Sequence, residues 1–336
     1  MFYEYTKEYI LKNDEIKRHK SALFLKTIDI EFDTNVDVTI NIVKNNQIAA
    51  TISAEKNLIK CIGVAPDFRS EGLMNILFSD LISYQYSKGF YNLALFTKAE
   101  YETIIASLGF YTICKTKNIV FMENHKNKFR DYLQNLTQSD CKGKVASIVM
   151  NLNPITNGHL YLIEKASSEN DVLFVFIVSE DRSVVPFDIR YQLAEASTRH
   201  LKNVILVKGG EYIISSTTFP SYFKKDYNSW IRNYCELDLT IFSKHIAKKL
   251  NISKRYVGTE PYCKVTNYYN KVMSEILPKY NIEYIEVSRL LSEDDAISAS
   301  RVRKLADEGD FKAIKSLVPE ATYKYLISIN GGSYET

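Results

Sequence analysis

The chain has 336 residues, of which 46% are hydrophobic and 25% charged, as is typical of a folded globular protein long enough for two domains. Its formal net charge of +3 is too small to indicate a protein dedicated to binding nucleic acid. Five scattered cysteines without a CxxC pair argue against a disulfide framework and favour a reducing, cytoplasmic location.

The first part of the chain predicts a mixed α and β domain. Its N-terminus lacks a basic segment followed by an apolar core, so no signal peptide is expected, and no apolar run is long enough to predict a membrane span. The segment VDVTINIVKNNQIAATISA alternates apolar and polar residues around a Lys-Asn-Asn-Gln turn, which predicts a β-hairpin. After it we expect a strand ending near Val64, a loop to Glu71 and a helix to about Ser87. The strands YNLALF and KNIVFME, with the short helix AEYETIIASLGF, complete this domain.

A polar stretch from Asn124 to Lys144 is the predicted linker, although FRDYLQNL within it has helical character. After it, short runs rich in Val and Ile alternate with amphipathic helical stretches. These runs are VASIVM, VLFVFIV, NVILV, KRYVG and IEYIEV. Strands that alternate with helices predict βαβ units and a doubly wound, Rossmann-like parallel sheet. We therefore predict an α/β protein with domains at residues 1–140 and 141–336.

The segment NLNPITNGH carries the first candidate site. It should leave the carboxyl end of the second domain's first strand and open the next helix, where free backbone N–H groups and the helix dipole favour an anion. Gly158 would let the backbone approach a phosphate, Thr156 could donate its hydroxyl, and His159 could donate a ring N–H. The alternative interpretation is a helix cap with an incidental histidine.

A second candidate site is the segment ISASRVRKL, which follows the last predicted strand. Ser298, Ser300 and Arg303 lie where another helix should begin, at the same edge of the sheet. Capping by serine is the simple alternative, but two hydroxyls and a guanidinium also favour an anion. Two such sites facing one cleft would hold the β and γ phosphates of a nucleotide.

Together, NPITNGH and ISASRVR resemble the HxGH and ISSTxxR signatures of the nucleotidylyltransferase superfamily, with Thr156 in place of the first histidine, as in pantetheine-phosphate adenylyltransferases. The resemblance implies that ATP binds here with Mg²⁺ and that pyrophosphate leaves after attack at the α phosphorus. The residues that it assigns to the phosphates are Thr156, His159, Ser298, Ser300 and Arg303. Ala299 stands where the signature has Ser. Asn153, which we place in the nucleotide site with Gly158, stands where the pantetheine enzymes have an acidic residue, so their substrate is disfavoured.

The segment GVAPDFRSEGLMNILFSDLI, with YETIIASLGFYTI after it, resembles the acyl-CoA-binding core of GNAT acetyltransferases. Arg69 and Gly72 match the pyrophosphate loop of that family, whereas Met74 occupies its last small position and would hinder the approach of a pyrophosphate. An active and a degenerate GNAT-like domain both stay open.

A GNAT-like domain followed by a TxGH nucleotidylyltransferase domain is similar to the citrate (pro-3S)-lyase ligase family. The segments YVGTEPYCKVTNYYN and VSEDRSVVPFDIRYQL are similar to blocks of that family. The resemblance implies a ligase that converts acetate and ATP to acetyl-adenylate and pyrophosphate. It would then transfer the acetyl group to the thiol of a dephospho-CoA-type prosthetic group on the acyl carrier subunit of citrate lyase. A carboxylate that attacks phosphorus is already ionised at neutral pH and needs no general base.

Five further residues at the predicted sheet edge are weaker candidates for nucleotide contact, with a surface or capping role as the alternative. They are Arg190, Lys208, Gly258, Thr259 and Glu260. The remaining histidines have no metal-ligand spacing, so no metal site of the protein is predicted. Two other functions stay open: a nucleotidylyltransferase that makes a stable dinucleotide cofactor, and an acyl-CoA-dependent acyltransferase or binding module.

Overall fold

The computed structural model describes residues 5–136, 143–179, 183–213, 227–292 and 295–330. The chain divides into two compact units, Met1–Asp131 with Phe219–Leu237, and Tyr132–Thr218 with Asp238–Thr336. Each unit has its own sheet and its own buried core. Part of the predicted linker, residues 137–142, lies outside the described residues.

The first unit is built on a seven-stranded sheet with the order β1-β2-β3-β4-β5-β7-β6. Its strands are β1 (Thr6–Leu11), β2 (Val38–Lys44), β3 (Gln47–Glu55), β4 (Leu58–Val64), β5 (Ala94–Lys98), β6 (Tyr111–Lys115) and β7 (Ile119–Glu123). β4 and β5 pair in parallel, whereas the other neighbours are antiparallel. The predicted hairpin is formed by β2 and β3. Asn45 and Asn46, with φ of 51° and 62°, give the left-handed conformations that a tight two-residue hairpin turn requires.

Helix α2 covers this sheet and fixes the core of the first unit. The helices that begin in this part of the chain are α1 (Glu15–Thr27), α2 (Leu73–Ser87), α3 (Glu102–Ser107) and α4 (Lys128–Asn135). Leu77, Phe78 and Leu81 of α2 are buried against the apolar residues of β2 and β3. Gly72 precedes α2 with φ of 70°, and the partly buried Met74 packs against the same core. The predicted α+β fold class of this unit is confirmed by its largely antiparallel sheet and the helices that accompany it, and its GNAT-like character stays a prediction.

The second unit contains a parallel five-stranded sheet with the order β10-β9-β8-β11-β12. Its strands are β8 (Val145–Met150), β9 (Val172–Ile177), β10 (Val204–Lys208), β11 (Lys254–Gly258) and β12 (Glu283–Val287). The chain proceeds from the central β8 to one edge and then crosses to β11 on the other side. The predicted doubly wound sheet is therefore confirmed, and its switch point lies between β8 and β11, where such sheets bind ligands beyond the strand ends.

Along the chain, helices lie between and after the strands of this sheet, and a short hairpin precedes the last three helices. The elements are α5 (Asn157–Ser168), α6 (Phe187–Thr198), α7 (Tyr227–Ile241), α8 (Lys248–Leu250), α9 (Lys264–Ile276), β13 (Leu291–Ser292), β14 (Asp295–Ala296), α10 (Ala299–Asp307), α11 (Phe311–Lys315) and α12 (Glu320–Asn330). Leu162, Ile163 and Ala166 of α5 pack against the sheet, which places the N-terminus of α5 at the switch point.

No helix within the described ranges is long and apolar enough to cross a membrane. Four cysteines lie in the described ranges, and no disulfide joins any two of them: Cys61, Cys114, Cys235 and Cys263. The fifth, Cys141, lies outside those ranges. The location in a reducing compartment stays a prediction from the sequence.

Candidate active site

The start of α5 is a capping box made by two of the predicted site residues. Thr156 is the N-cap, with extended backbone angles, and its hydroxyl oxygen accepts a hydrogen bond from the backbone N–H of His159 at 3.4 Å. In return, Nδ1 of His159 accepts from the backbone N–H of Thr156 at 3.1 Å. The hydroxyl of Thr156 also lies 3.0 Å from Nδ1, and its side chain is fully buried. The cap and the candidate site are therefore formed by the same residues.

The capping box determines what His159 can do chemically. Nδ1 accepts a backbone hydrogen bond, so in the neutral ring the proton is on Nε2. Desolvation of the partly buried ring and, to a lesser extent, the positive charge of Arg289 together lower the pKa of His159 to about 4. Among the described residues, none accepts a hydrogen bond from Nε2. At neutral pH His159 is therefore an uncharged donor at a helix N-terminus, which suits a phosphate oxygen.

The two predicted motifs come together at Gly158. A Cβ atom at this position would lie 2.9 Å from the carbonyl oxygen of Ile297, closer than real Cβ contacts allow. The glycine is therefore needed because the start of α5 lies against the segment that leads into α10. The C-terminal helices hold the same region, since Leu317 accepts a hydrogen bond from the backbone N–H of Asn157 at 2.8 Å.

At the start of α10, Ser298 is the N-cap, and its hydroxyl accepts from the backbone N–H of Arg301 at 3.2 Å. Arg303, one turn later, donates through Nη2 to the exposed Ser300 hydroxyl at 3.1 Å and through Nη1 to the carbonyl oxygen of Asn153. Burial lowers the pKa of the Arg303 guanidinium, but an arginine keeps its charge at neutral pH. Arg303 thus brings a positive charge from α10 to the loop that precedes Thr156.

Arg190 is fully buried and binds the loops after β8 and β9. Its Nε donates to the carbonyl oxygen of Val185 at 3.0 Å, and its Nη1 donates to those of Asn151 at 2.6 Å and Val178 at 2.9 Å. This geometry gives Arg190 a positioning role beneath the site. A direct contact with the nucleotide stays a prediction.

Asn153 and Lys208 lie on the same side of the switch point. The side-chain oxygen of Asn153 accepts from the backbone N–H of Val185 at 3.0 Å, so this residue also orders the loop after β9. Lys208 is exposed at the end of β10, and its ammonium lies 5.9 Å and 5.5 Å from the ring centroids of Phe187 and Tyr191. Lys208 is accessible to an anionic ligand, and its predicted role stays a prediction.

The other side of the switch point carries Gly258, Thr259 and Glu260. The Gly258 carbonyl accepts from the side-chain amide of Asn270 at 3.1 Å, and the Thr259 backbone N–H donates to the carbonyl of Val287 at 2.9 Å. One carboxylate oxygen of Glu260 accepts from the backbone N–H groups of residues 262 and 263, each at 3.1 Å. The other oxygen of Glu260 is bonded to an arginine, so both are engaged within the protein.

That arginine, Arg289, was missed by sequence reasoning. It follows β12, donates from Nε to the carbonyl oxygen of Thr259 at 2.6 Å, and forms an ion pair with Glu260. No motif marks it, and the one available signal was its position directly after the last predicted strand, where a parallel sheet places ligand-binding residues.

We expect the wild-type protein to lose stability as the pH falls from about 6.5 to about 4, through His159. Because the folded pKa lies below the ordinary value, the unfolded chain takes up a proton first, which favours unfolding in this range. Urea denaturation at about pH 7.5 and about pH 5 would compare the wild type with His159→Gln. The variant should lose less free energy of unfolding between the two conditions, and equal losses would contradict the lowered pKa.

Comparison with known proteins shows the family of this chain through a sequence profile and three relatives. The sequence profile described as the citrate lyase ligase C-terminal domain matches residues 145–326. Three curated proteins named citrate (pro-3S)-lyase ligase are similar over most of their length. The one from Escherichia coli is 37% identical over 94% of this chain and 92% of its own. The one from Klebsiella pneumoniae is 32% identical over 97% of each chain, and the one from Haemophilus influenzae is 37% identical over 84% of this chain and 86% of its own.

Proposed function

This chain belongs to the citrate lyase ligase family, a family of enzymes, and from this premise we propose that it acetylates the acyl carrier subunit of citrate lyase at the expense of ATP, through an acetyl-adenylate. The observation that supports the adenylate is that two groups of hydrogen-bond donors, each at the start of a helix, meet at the carboxyl edge of the parallel sheet. The start of α5 brings His159, the start of α10 brings Ser300 and Arg303, and the two segments touch at Gly158.

The donors suit a triphosphate. His159 offers a neutral Nε2–H beside the free backbone N–H groups of the first turn of α5, and Arg303 offers a charged, planar donor set. We propose that His159 contacts the α-phosphate and that Ser300 and Arg303 hold the β and γ phosphates. The described residues contain no group of three or more His, Cys, Asp or Glu that would suit a metal ion. Mg²⁺ is therefore proposed as the ion that ATP brings with it.

In the first step, a carboxylate oxygen of acetate attacks the α phosphorus, and the bond to the bridging oxygen of the β-phosphate breaks. Pyrophosphate leaves with the electron pair, and Arg303 stabilises its charge. Acetate is ionised at neutral pH, so no proton has to be removed. This agrees with the geometry of His159, whose Nδ1 is occupied by the backbone of Thr156.

In the second step, the thiol of the carrier's prosthetic group attacks the carbonyl carbon of the acetyl-adenylate. The carbon–oxygen bond to AMP breaks, AMP leaves with the electron pair, and the thiol proton passes to solvent. The product is the acetyl thioester.

Isotope exchange between pyrophosphate and ATP tests the first step without the carrier. We expect exchange to require acetate and to proceed in the absence of citrate lyase, because the adenylate forms reversibly on the enzyme. Carrier acetylation without any acetate-dependent exchange would contradict the adenylate. A product analysis separates the alternatives: an adenylylated pantetheine formed without acetate would indicate a cofactor-forming nucleotidylyltransferase, and acetylation from acetyl-CoA alone would indicate an acyltransferase.

A further inference from the structure

We propose that Arg289 is a further substrate-contacting residue, which binds the α-phosphate of the nucleotide together with His159. The proposal rests on the proposed function, because it assigns Arg289 to the same nucleotide. Neither of the two sequence motifs contains this residue.

The first line of argument is position. The backbone N–H of Arg289 donates to the hydroxyl of Thr259 at 3.3 Å, and its Nε donates to the Thr259 carbonyl oxygen at 2.6 Å. The next residue, Leu290, accepts from the backbone N–H of Ile297 at 3.1 Å. The Ile297 carbonyl oxygen is in turn the atom that leaves no room for a side chain at Gly158. Arg289 is therefore held at the carboxyl edge of the sheet. Its neighbour Leu290 is hydrogen-bonded to Ile297, the residue that lies against the start of α5.

The second line of argument is the arrangement of hydrogen bonds around the guanidinium. Nη2 of Arg289 donates a hydrogen bond to Oε2 of Glu260. The other carboxylate oxygen, Oε1, accepts hydrogen bonds from two backbone N–H groups. Nη1 has no acceptor among the described residues. The side chain of Arg289 is 24% exposed to solvent. A guanidinium fixed on one side and accessible on the other is suited to an anionic ligand.

The third line of argument is the division of charge between Arg289 and His159. The imidazole stays neutral, chiefly because it is buried and further because of the positive charge of Arg289. A neutral imidazole gives a directed hydrogen bond but cannot balance a negative charge. The phosphoryl group under attack gains charge that needs a cation, and Arg289 supplies one within electrostatic reach of the same ring.

The α-phosphate is the natural ligand because the other phosphates have donors of their own. Ser300 and Arg303 lie on α10, where the departing pyrophosphate is proposed to be held. AMP carries the α-phosphate alone and is therefore the probe that isolates Arg289.

The experiment measures AMP and adenosine binding by calorimetry to the wild type, Arg289→Gln and Arg289→Lys. We expect Arg289→Gln to weaken AMP binding about tenfold or more while adenosine binding stays the same, and Arg289→Lys to restore part of the loss. The matched control is Lys304→Gln, a charge removal at a position 77% exposed on α10, which should change neither affinity. Thermal melting of each variant establishes that it is folded.

A second measurement follows the ring proton of His159 by NMR as a function of pH. In Arg289→Gln the pKa of His159 should rise towards its ordinary value, without reaching it, because burial remains. Equal weakening of AMP and adenosine would show that Arg289 only supports the loop at Thr259, and unchanged AMP affinity would overturn the proposal outright. Both binding assays work without acetate, so a failure of the acetate-dependent exchange would not be mistaken for a failure of Arg289.

Discussion

Replacing His159 with alanine is expected to lower the rate of acetate-dependent ATP–pyrophosphate exchange by about 10²–10³-fold. This is the typical loss of rate when one fixed hydrogen-bond donor to the charge that develops in the transition state is removed. The imidazole Nε2–H is the neutral donor at the start of α5, and alanine offers none. The helix also loses half of its capping box, which should cost about 0.5–2 kcal/mol of stability. Exchange assays and urea denaturation separate the two effects.

Two other substitutions at this position distinguish the cap from the catalytic donor. Glutamate is a usual partner in a capping box, so His159→Glu should keep the helix start but place a negative charge against the phosphate. We expect it to be at least as inactive as the alanine variant while more stable. Glutamine can accept from the backbone of Thr156 and still offer an amide N–H, so His159→Gln should retain more exchange than alanine.

The control for these variants is His200→Ala, since His200 is exposed and pairs with Glu164 at 3.2 Å on the outside of the unit. It should leave exchange and stability within about 0.5 kcal/mol of the wild type. Near-normal exchange in His159→Ala would remove His159 from its proposed role.

Replacing Arg303 with alanine is expected to reduce kcat/KM for ATP by about 10²–10³-fold, because the Arg303 guanidinium lies at the Ser300 hydroxyl, where we propose that the departing pyrophosphate is held. The same change removes the hydrogen bond to the carbonyl oxygen of Asn153, so the loop before Thr156 should also become less ordered. Kinetics at varied ATP concentration would measure the first effect, and hydrogen exchange at residues 152–156 the second.

Lys304→Ala is the matched control for Arg303, because it removes a neighbouring charge on the same helix. Lys304 pairs with Glu308 at 3.8 Å and is 77% exposed, so the change should be nearly neutral. If Arg303→Lys performed as well as the wild type, a point charge would suffice and the planar donor geometry would be unnecessary.

The parallel sheet was predictable from sequence for a physical reason. Strands buried on both faces have to be apolar throughout, so β8 and β9 appear as the runs VASIVM and VLFVFI. The hairpin of β2 and β3 was predictable because its turn requires left-handed residues, and Asn45 and Asn46 tolerate them. In both cases the determining interaction is local along the chain.

The α5 start was predictable for the same reason, since the spacing of Thr156 and His159 is that of a capping box. The contributions of Arg289 and Arg190 were not, because each depends on contacts with distant segments. Arg289 reaches a carbonyl oxygen 30 residues away at Thr259, and Arg190 reaches one 39 residues away at Asn151. Nothing in the sequence around an arginine shows whether its guanidinium meets solvent, a backbone carbonyl or a ligand.

The capping box has a consequence for how the enzyme meets its substrate. Immobilising a side chain on binding costs about 0.5–1.5 kcal/mol. The imidazole is already fixed by the backbone of Thr156 in the free protein, so little of this cost remains when the proposed nucleotide binds. This is preorganisation by secondary structure rather than by closure of a lid. It also couples catalysis to fraying, because the first turn of α5 cannot unwind without withdrawing the donor from the phosphate.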